Sequence, residues 1–239
     1  MSEIFGHRGF SGQYPENTML AFEKAVEIGC DGIELDVQLT KDGECVIIHD
    51  EMVDRTTDGK GLVRDYTLSE LQKLNANASF GDKYPKQHIP TLREYFEYIK
   101  DKNIVTNIEM KTGVFVYDGI IEKVHKLVSE YGLEDRIIYS SFNHYTCKKL
   151  KEYDSTIRCG FLIEAWILDV AEYASKHNMY SVNARYSFLD KNICDSLHKK
   201  DIKAMAWTAN EVDDIKKLIS DGCDVIITNN PDIALELNK

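Results

Sequence analysis

The chain has 239 residues, close to the roughly 250 of a single (β/α)8 barrel and within what one globular domain fills. Hydrophobic residues make up 43% and charged residues 29% without long low-complexity tracts, which supports a sizeable buried core and argues against wholesale disorder. The 29 Lys+Arg against 40 Asp+Glu give a net charge of −11, arguing against a broad electrostatic grip on nucleic acid or anionic lipid but not against a local cationic site. No apolar run approaches 18 residues, and Met1-Ser2-Glu3-Ile4 lacks the basic and apolar regions of a secretory signal, so neither a membrane span nor an export sequence is expected. The six cysteines (Cys30, Cys45, Cys147, Cys159, Cys194, Cys223) lie far apart with no CxxC pair, and they read as reduced core thiols of a cytoplasmic protein.

Short apolar, β-rich segments recur at 4–8, 32–39, 104–110, 136–142, 157–163, 180–184, 203–208 and 224–228, making eight candidate strands. The stretches between them read as helices. Ile120, Ile121, Val124, Leu127, Val128 and Tyr131 keep helical spacing, as do Val212, Ile215, Leu218 and Ile219. Thr67 with Glu70 and Thr91 with Glu94 fit the capping box, and Asn230-Pro231 fits a cap followed by proline at the first helical position. Eight alternating units in 239 residues favour a closed parallel barrel over an open doubly wound sheet. One connection breaks the rhythm. From Asp50 to Pro90 run 41 residues, holding Asp58-Gly59-Lys60-Gly61 and a helical pattern around Leu68 to Leu74, far beyond an ordinary βα loop. The expected organisation is one domain over 1–239 with an insertion at 50–90, leaving the face where barrel active sites lie.

Several residues fall at that face. Gly6-His7-Arg8-Gly9 ends the first strand and Pro15-Glu16-Asn17-Thr18 opens the first helix. The glycines suggest close approach of a ligand to the backbone, whereas Asn17 and Thr18 read as helix capping. In Gly32-Ile33-Glu34-Leu35-Asp36-Val37, period-2 geometry puts Glu34 and Asp36 on one face, and in Asn107-Ile108-Glu109-Met110-Lys111 it pairs Glu109 with Lys111. Barrel strands are buried on both faces, so two inward carboxylates would repel by about 4 kcal/mol at an effective dielectric near 20. A hard divalent ion would relieve this, and internal salt bridges with Lys111 are the alternative. Cys45 to Ile48 forms an apolar run after the turn Thr40-Lys41-Asp42-Gly43, either doubling back on the second strand or extending it, and it delivers His49-Asp50 to the same mouth. Two histidines beside clustered carboxylates suggest an acid and base pair. The remaining five histidines read as surface or structural residues. Trp207 in Ala206-Trp207-Thr208-Ala209-Asn210 reads either as core or as a surface for the apolar or polyol part of a ligand. A P-loop, GxGxxG, HxH and GxSxG are all missing, which weighs against nucleotide-dependent kinases, dehydrogenases and serine hydrolases.

Taken in order, His7-Arg8-Gly9, Pro15-Glu16-Asn17-Thr18, Glu34-x-Asp36, His49-Asp50, Glu109-x-Lys111 and Trp207-Thr208-x-Asn210 resemble the glycerophosphodiester phosphodiesterase family over essentially the whole chain. The resemblance implies a (β/α)8 TIM barrel with an insertion after the second strand. It implies metal-dependent hydrolysis of glycerophosphodiesters to an alcohol and glycerol 3-phosphate. His7 and His49 correspond to the acid/base pair, and Glu34, Asp36 and Glu109 to the ligands of one divalent cation, Mg2+ or Ca2+. Arg8 and Lys111 correspond to phosphate contacts, while Glu16 stands at the acidic position near the metal, for the ion or a substrate hydroxyl. Thr228-Asn229-Asn230 is not a diagnostic match and receives no site role. The expected partner is a small-molecule glycerophosphodiester, with no nucleic acid and no membrane span, and the sequence leaves the oligomeric state unread. Two alternatives stand beside this reading, a lysophospholipase D-type activity on lysophospholipids and a non-catalytic phosphodiester-binding barrel. An apolar patch in the 50–90 insertion would favour lipid, and Phe80, Tyr84 and Ile89 are too few to establish one.

Overall fold

A computed structural model describes residues 1–239, with every side chain except that of Ser79. Parallel strands β1 (Glu3–His7), β2 (Gly32–Leu39), β4 (Val105–Met110), β5 (Ile137–Ser141), β6 (Cys159–Ile163), β7 (Ser181–Arg185), β8 (Lys203–Trp207) and β9 (Val225–Thr228) pair in sequence. β9 pairs with β1, and β1 with β2, so the sheet closes into a barrel. Helices α1 (Met19–Glu27), α3 (Leu92–Ile99), α4 (Ile120–Glu130), α5 (His144–Tyr153), α6 (Val170–Lys176), α7 (Lys191–His198), α8 (Val212–Ser220) and α9 (Pro231–Leu237) follow the strands. This is the (β/α)8 barrel that the alternation of segments predicted.

Two apolar layers hold it together. Outward-facing Ile33, Leu35, Val37 and Ile108 pack against helix residues such as Phe22, Leu92, Tyr95 and Phe96. Inside, Phe5, Ile138, Met205, Val225 and Ile227 fill the lower barrel. Gly32 makes room for this plug, since a Cβ there would lie 2.5 Å from the Phe5 ring. Polar side chains begin one pleat above Phe5, where His7 is in register with Glu34 and Glu34 with Asn107.

β2 rises past the barrel rim, and β3 (Cys45–Ile47) returns along it antiparallel, pairing Leu39 with Cys45 and Val37 with Ile47. Of the two expectations for this run, doubling back is the one observed. The insertion has its own small core of Val46, Ile48, Val53, Val63, Leu71, Ala76 and Ile89. Within it α2 (Leu68–Leu71) carries the expected Thr67/Glu70 capping box, and Thr91/Glu94 opens α3 in the same way. No helix is long and apolar enough to cross a membrane among the described residues.

Candidate active site

The turn after β1 is built by close packing. A Cβ on Gly6 would lie 2.8 Å from the Gly9 carbonyl, and one on Gly9, whose φ is 82°, would lie 2.7 Å from the Ala21 backbone. The space expected for a ligand is therefore taken by the chain's own backbone and α1. Within this turn Arg8 (φ 53°) and Asn17 (φ 54°) adopt left-handed conformations, which cost on the order of 1 kcal/mol each in non-glycine residues. The strain aims both at one target. Arg8 donates its backbone N–H to Glu34 Oε2 at 3.1 Å and its Nη1 to Glu16 Oε1 at 2.8 Å, with Nε 3.4 Å from Asp36 Oδ2. Asn17 Nδ2 donates to Asp36 Oδ2 at 2.8 Å, whereas Thr18 caps α1 as predicted by accepting from the Ala21 N–H. Of the two capping assignments, Thr18 keeps its role and Asn17 belongs to the site.

Glu34, Asp36 and Glu109 converge inside the mouth, each offering an oxygen within 4.8 Å of the others, and all three are buried. Lys111 Nζ lies 2.9 Å from Glu109 Oε1 and 3.9 Å from Asp36 Oδ1. Part of the internal salt-bridge alternative is therefore present, but two cationic side chains face three carboxylates. Burial opposes ionisation of Asp36, yet Arg8, His49, Lys111 and the Asn17 amide outweigh it and hold its pKa well below the carboxylate range. Burial and then the Asp36 charge push Glu34 well above that range and Glu109 up to about 7. Asp36 Oδ1 and Asn17 Oδ1 are buried without a hydrogen-bond partner. An all-oxygen donor set with surplus negative charge and orphaned oxygens fits a hard divalent cation.

The two histidines are held in similar ways. His7 Nδ1 donates to Asn229 Oδ1 at 2.6 Å, leaving Nε2 on the cavity side, 3.8 Å from Glu34 Oε2. Burial and the neighbouring Arg8 charge lower its pKa to about 4, so the ring is neutral at pH 7. His49 Nδ1 donates to Asp50 Oδ1 at 2.5 Å. Asp50 in turn accepts from Arg55 Nε at 2.7 Å, and the same guanidinium reaches both oxygens of Glu16 at 2.7 and 2.8 Å. Beneath the His49 backbone, the Nε2 of buried Gln38 lies 2.7 to 3.1 Å from the carbonyls of Ile48, His49 and Asp50, and Tyr117 donates to its Oε1 at 2.9 Å.

The cavity between the histidines has two unlike walls. His7, Arg8, Glu34, His49, Asn107 and Glu109 form the charged wall, and Phe142, Leu162, Trp207 and Ile227 form the apolar one. Trp207 is fixed by its Nε1 donating to the Asn183 carbonyl at 2.8 Å and by an edge-on contact with Phe142 at 5.3 Å.

Residues 7–233 match the sequence pattern of the glycerophosphoryl diester phosphodiesterase family. The chain belongs to this family. A glycerophosphodiester phosphodiesterase of Caldanaerobacter subterraneus subsp. tengcongensis is 43% identical over 234 residues, covering 98% of this chain and 96% of that protein. One from Bacillus altitudinis is 38% identical over 246 residues, covering 100% and 99%. Among solved structures, an Oleispira antarctica phosphodiesterase in complex with the product sn-glycerol-3-phosphate superposes with a TM-score of 0.92 at 29% identity, covering 99% of this chain and 96% of that one.

In this family member, His7, Arg8, Glu34, His49, Glu109 and Trp207 all line one cavity, with Asp36 in the acid cluster beside it and Glu16 and Lys111 at its charged margin. Sequence reasoning passed over Arg55 and Gln38 and gave Asn229 no site role, a reading that the bond between Asn229 and His7 corrects. Gln38 continues the period-2 face of Glu34 and Asp36, a signal that was present. Asn229 reaches His7 because β9 closes on β1, a contact 222 positions apart that no local pattern announces.

Proposed function

We propose that the chain hydrolyses glycerophosphodiesters to an alcohol and glycerol 3-phosphate, using His7 and His49 as the acid/base pair. The observation that carries this reading is the matched tethering of the two rings, each donating from Nδ1 to a fixed oxygen and lining the cavity beside the buried carboxylates. One histidine removes the proton of the attacking hydroxyl, whether of water or of the glycerol 2-position. The other protonates the departing alcohol, and where the 2-hydroxyl is the nucleophile the resulting cyclic phosphate is then opened by water, with the two proton-transfer roles exchanged, to give glycerol 3-phosphate. Asn229 and Asp50 hold each ring in the tautomer that exposes Nε2.

Glu34, Asp36 and Glu109 are the residues that would hold one divalent cation, Mg2+ or Ca2+. Bound there, the cation supplies Lewis-acid polarisation of a phosphoryl oxygen and neutralises charge as the bond breaks. Arg8 and Lys111 meet the phosphate, drawing an anion into an acidic protein through local positive charge. Glu16 acts through the Arg8 guanidinium it accepts from, and Trp207 packs against the carbon skeleton of the substrate. Arg55 ties the 50–90 insertion to Glu16 and Asp50, so barrel and insertion work as one catalytic domain. The buried, unpaired thiols of the six cysteines suit the reducing cytoplasm.

The test is kinetic. His7→Ala and His49→Ala should each lower kcat by at least about 100-fold with the cation still bound. A nitrophenyl ester, whose leaving group needs little protonation, should rescue whichever variant has lost the acid. Glycerophosphocholine should yield choline and glycerol 3-phosphate. Release of phosphocholine and glycerol would show that the opposite P–O bond is cut, and retention of activity in both variants would remove the histidines from the chemistry.

A further inference from the structure

One sector of the barrel mouth is lined with apolar side chains that face solvent. Eleven large apolar side chains are exposed among the described residues, and six stand on three consecutive loops. Val114 and Val116 follow β4, Phe142 follows β5, and Trp166, Ile167 and Leu168 follow β6. Trp166 is 62% and Leu168 93% exposed, so these are projecting tips rather than margins of the core. Phe115, between the two valines, is held inward with the Arg64 guanidinium 3.7 Å over its ring. The rim reaches the cavity at Phe142, which is both an exposed tip and the edge-on neighbour of Trp207. The cluster lies on these loops, whereas the 50–90 insertion, where a patch would favour lipid, exposes Met52 alone of the large apolar side chains among the described residues.

Two observations select the occupant. Beyond Lys111 of the site, the loops after β4, β6 and β7 carry Asp118, Glu164, Asp169 and Asp190, and of the two basic groups beside them Arg185, the last residue of β7, pairs with Glu164 at 3.4 Å while Arg64 of the insertion lies over Phe115. Such a rim repels an anionic bilayer and has no cationic cluster for nucleic acid. One of the tips, Phe142, lines the cavity, and the others stand on loops at the same mouth, so a rigid protein seated on them would cover its opening, whereas a fluid amphiphile surface would present head groups to it. Aromatic and branched tips among charges that are more acidic than basic match insertion into the boundary of a zwitterionic lipid layer.

We propose that this rim docks on zwitterionic phospholipid surfaces, with Trp166, Ile167 and Leu168 entering the apolar layer and the cavity facing the head groups. The docking is measured without turnover, so it and the proposed function fail separately.

The chain supplies its own probe. It holds two tryptophans, and Trp166 is the solvent-exposed one while Trp207 is partly buried. Phosphatidylcholine vesicles should shift the emission to shorter wavelength and carry the protein down in sedimentation, with no loss at high salt and no gain from added phosphatidylglycerol. Ile167→Asp with Leu168→Asp should weaken sedimentation at least about tenfold and leave hydrolysis of soluble glycerophosphocholine unchanged. If the double variant does not fold, the emission of the unaltered chain still decides. Absence of both shift and sedimentation overturns the proposal, as does binding confined to anionic vesicles. A dimer dispersed by the same substitutions, without vesicle binding, would assign the rim to a second copy instead. Docking without any phosphodiesterase activity would leave this inference standing and sink the proposed function.

Discussion

The two ends of the barrel use the same residue type to opposite effect. At the bottom, Asp31 accepts the Ile4 N–H at 2.8 Å, and Asp224 accepts the Ala204 N–H and His198 Nε2 at 2.8 Å and Lys203 Nζ at 2.7 Å. Those carboxylates splice strand starts to the loops beneath, and each has partners of matching charge or polarity. At the mouth, Glu34, Asp36 and Glu109 point at one another, and two of the three are driven toward the protonated form. An acid that knits the fold and an acid that strains it are told apart by what faces them, not by burial alone. The division follows the general rule that the lower face of such barrels serves stability and the upper face serves chemistry.

Chelation is the harshest way to break this comparison. Removing the cation should abolish turnover while leaving circular dichroism intact, because β2 and β4, which put Asp36 in register with Glu109, pair through their backbones and not through the carboxylates. Full activity in protein shown metal-free by elemental analysis would end the metal assignment. A paired substitution sharpens the contrast. Glu34→Gln should weaken cation binding and cut activity yet leave the metal-free fold at least as stable, since it relieves repulsion. Asp224→Asn should cost about 1 to 3 kcal/mol in denaturant unfolding, by weakening bonds to the Ala204 N–H, Lys203 and His198, with kcat unchanged. Unfolding of Glu34→Gln would reverse the assignment and make the mouth a structural ion-pair cluster.

The smallest effect is in the pH dependence of metal-free protein, where the two ends pull in opposite directions. Glu109 is raised from 4.5 to about 7, so the folded chain binds the extra proton between those values. Its share of stability is fully present below pH 4.5 and is lost as pH rises through about 7. At Asp224, burial works against ionisation, but Lys203, the Ala204 N–H and His198 outweigh it and hold the pKa below 3.8. Its share is present above pH 3.8 and lost as pH falls through the lower folded value. Unfolding titrations should therefore show Glu109→Gln flattening the limb between about 4.5 and 7, and Asp224→Asn flattening the acid limb. Coincident profiles for the two variants would erase the distinction between the ends.

Much of this was legible in the chain because it is written in short periods. Alternation along β2 and β4 paired Glu34 with Asp36 and Glu109 with Lys111, and the turn at Thr40 to Gly43 left two courses for the run that carries His49, of which the hairpin is the one formed. What stayed hidden depends on closure and on long side chains. Asn229 meets His7 across the seam between the first and last strands, and Arg55 reaches Glu16 over 39 positions from inside the insertion. Asn17 hid behind a plausible local role, because its neighbour Thr18 fills the capping position that either could have taken. The glycines of the first turn misled in the other direction, since a missing side chain makes room for backbone as readily as for a ligand.

The plug of Phe5, Ile138, Met205, Val225 and Ile227 has a kinetic consequence. A barrel stoppered at its base has one doorway, so substrate, water and both products share a single route. On the proposed reading, glycerol 3-phosphate keeps the phosphate that Arg8 and Lys111 would grip and leaves by the mouth through which the diester enters, so it should inhibit competitively with the diester.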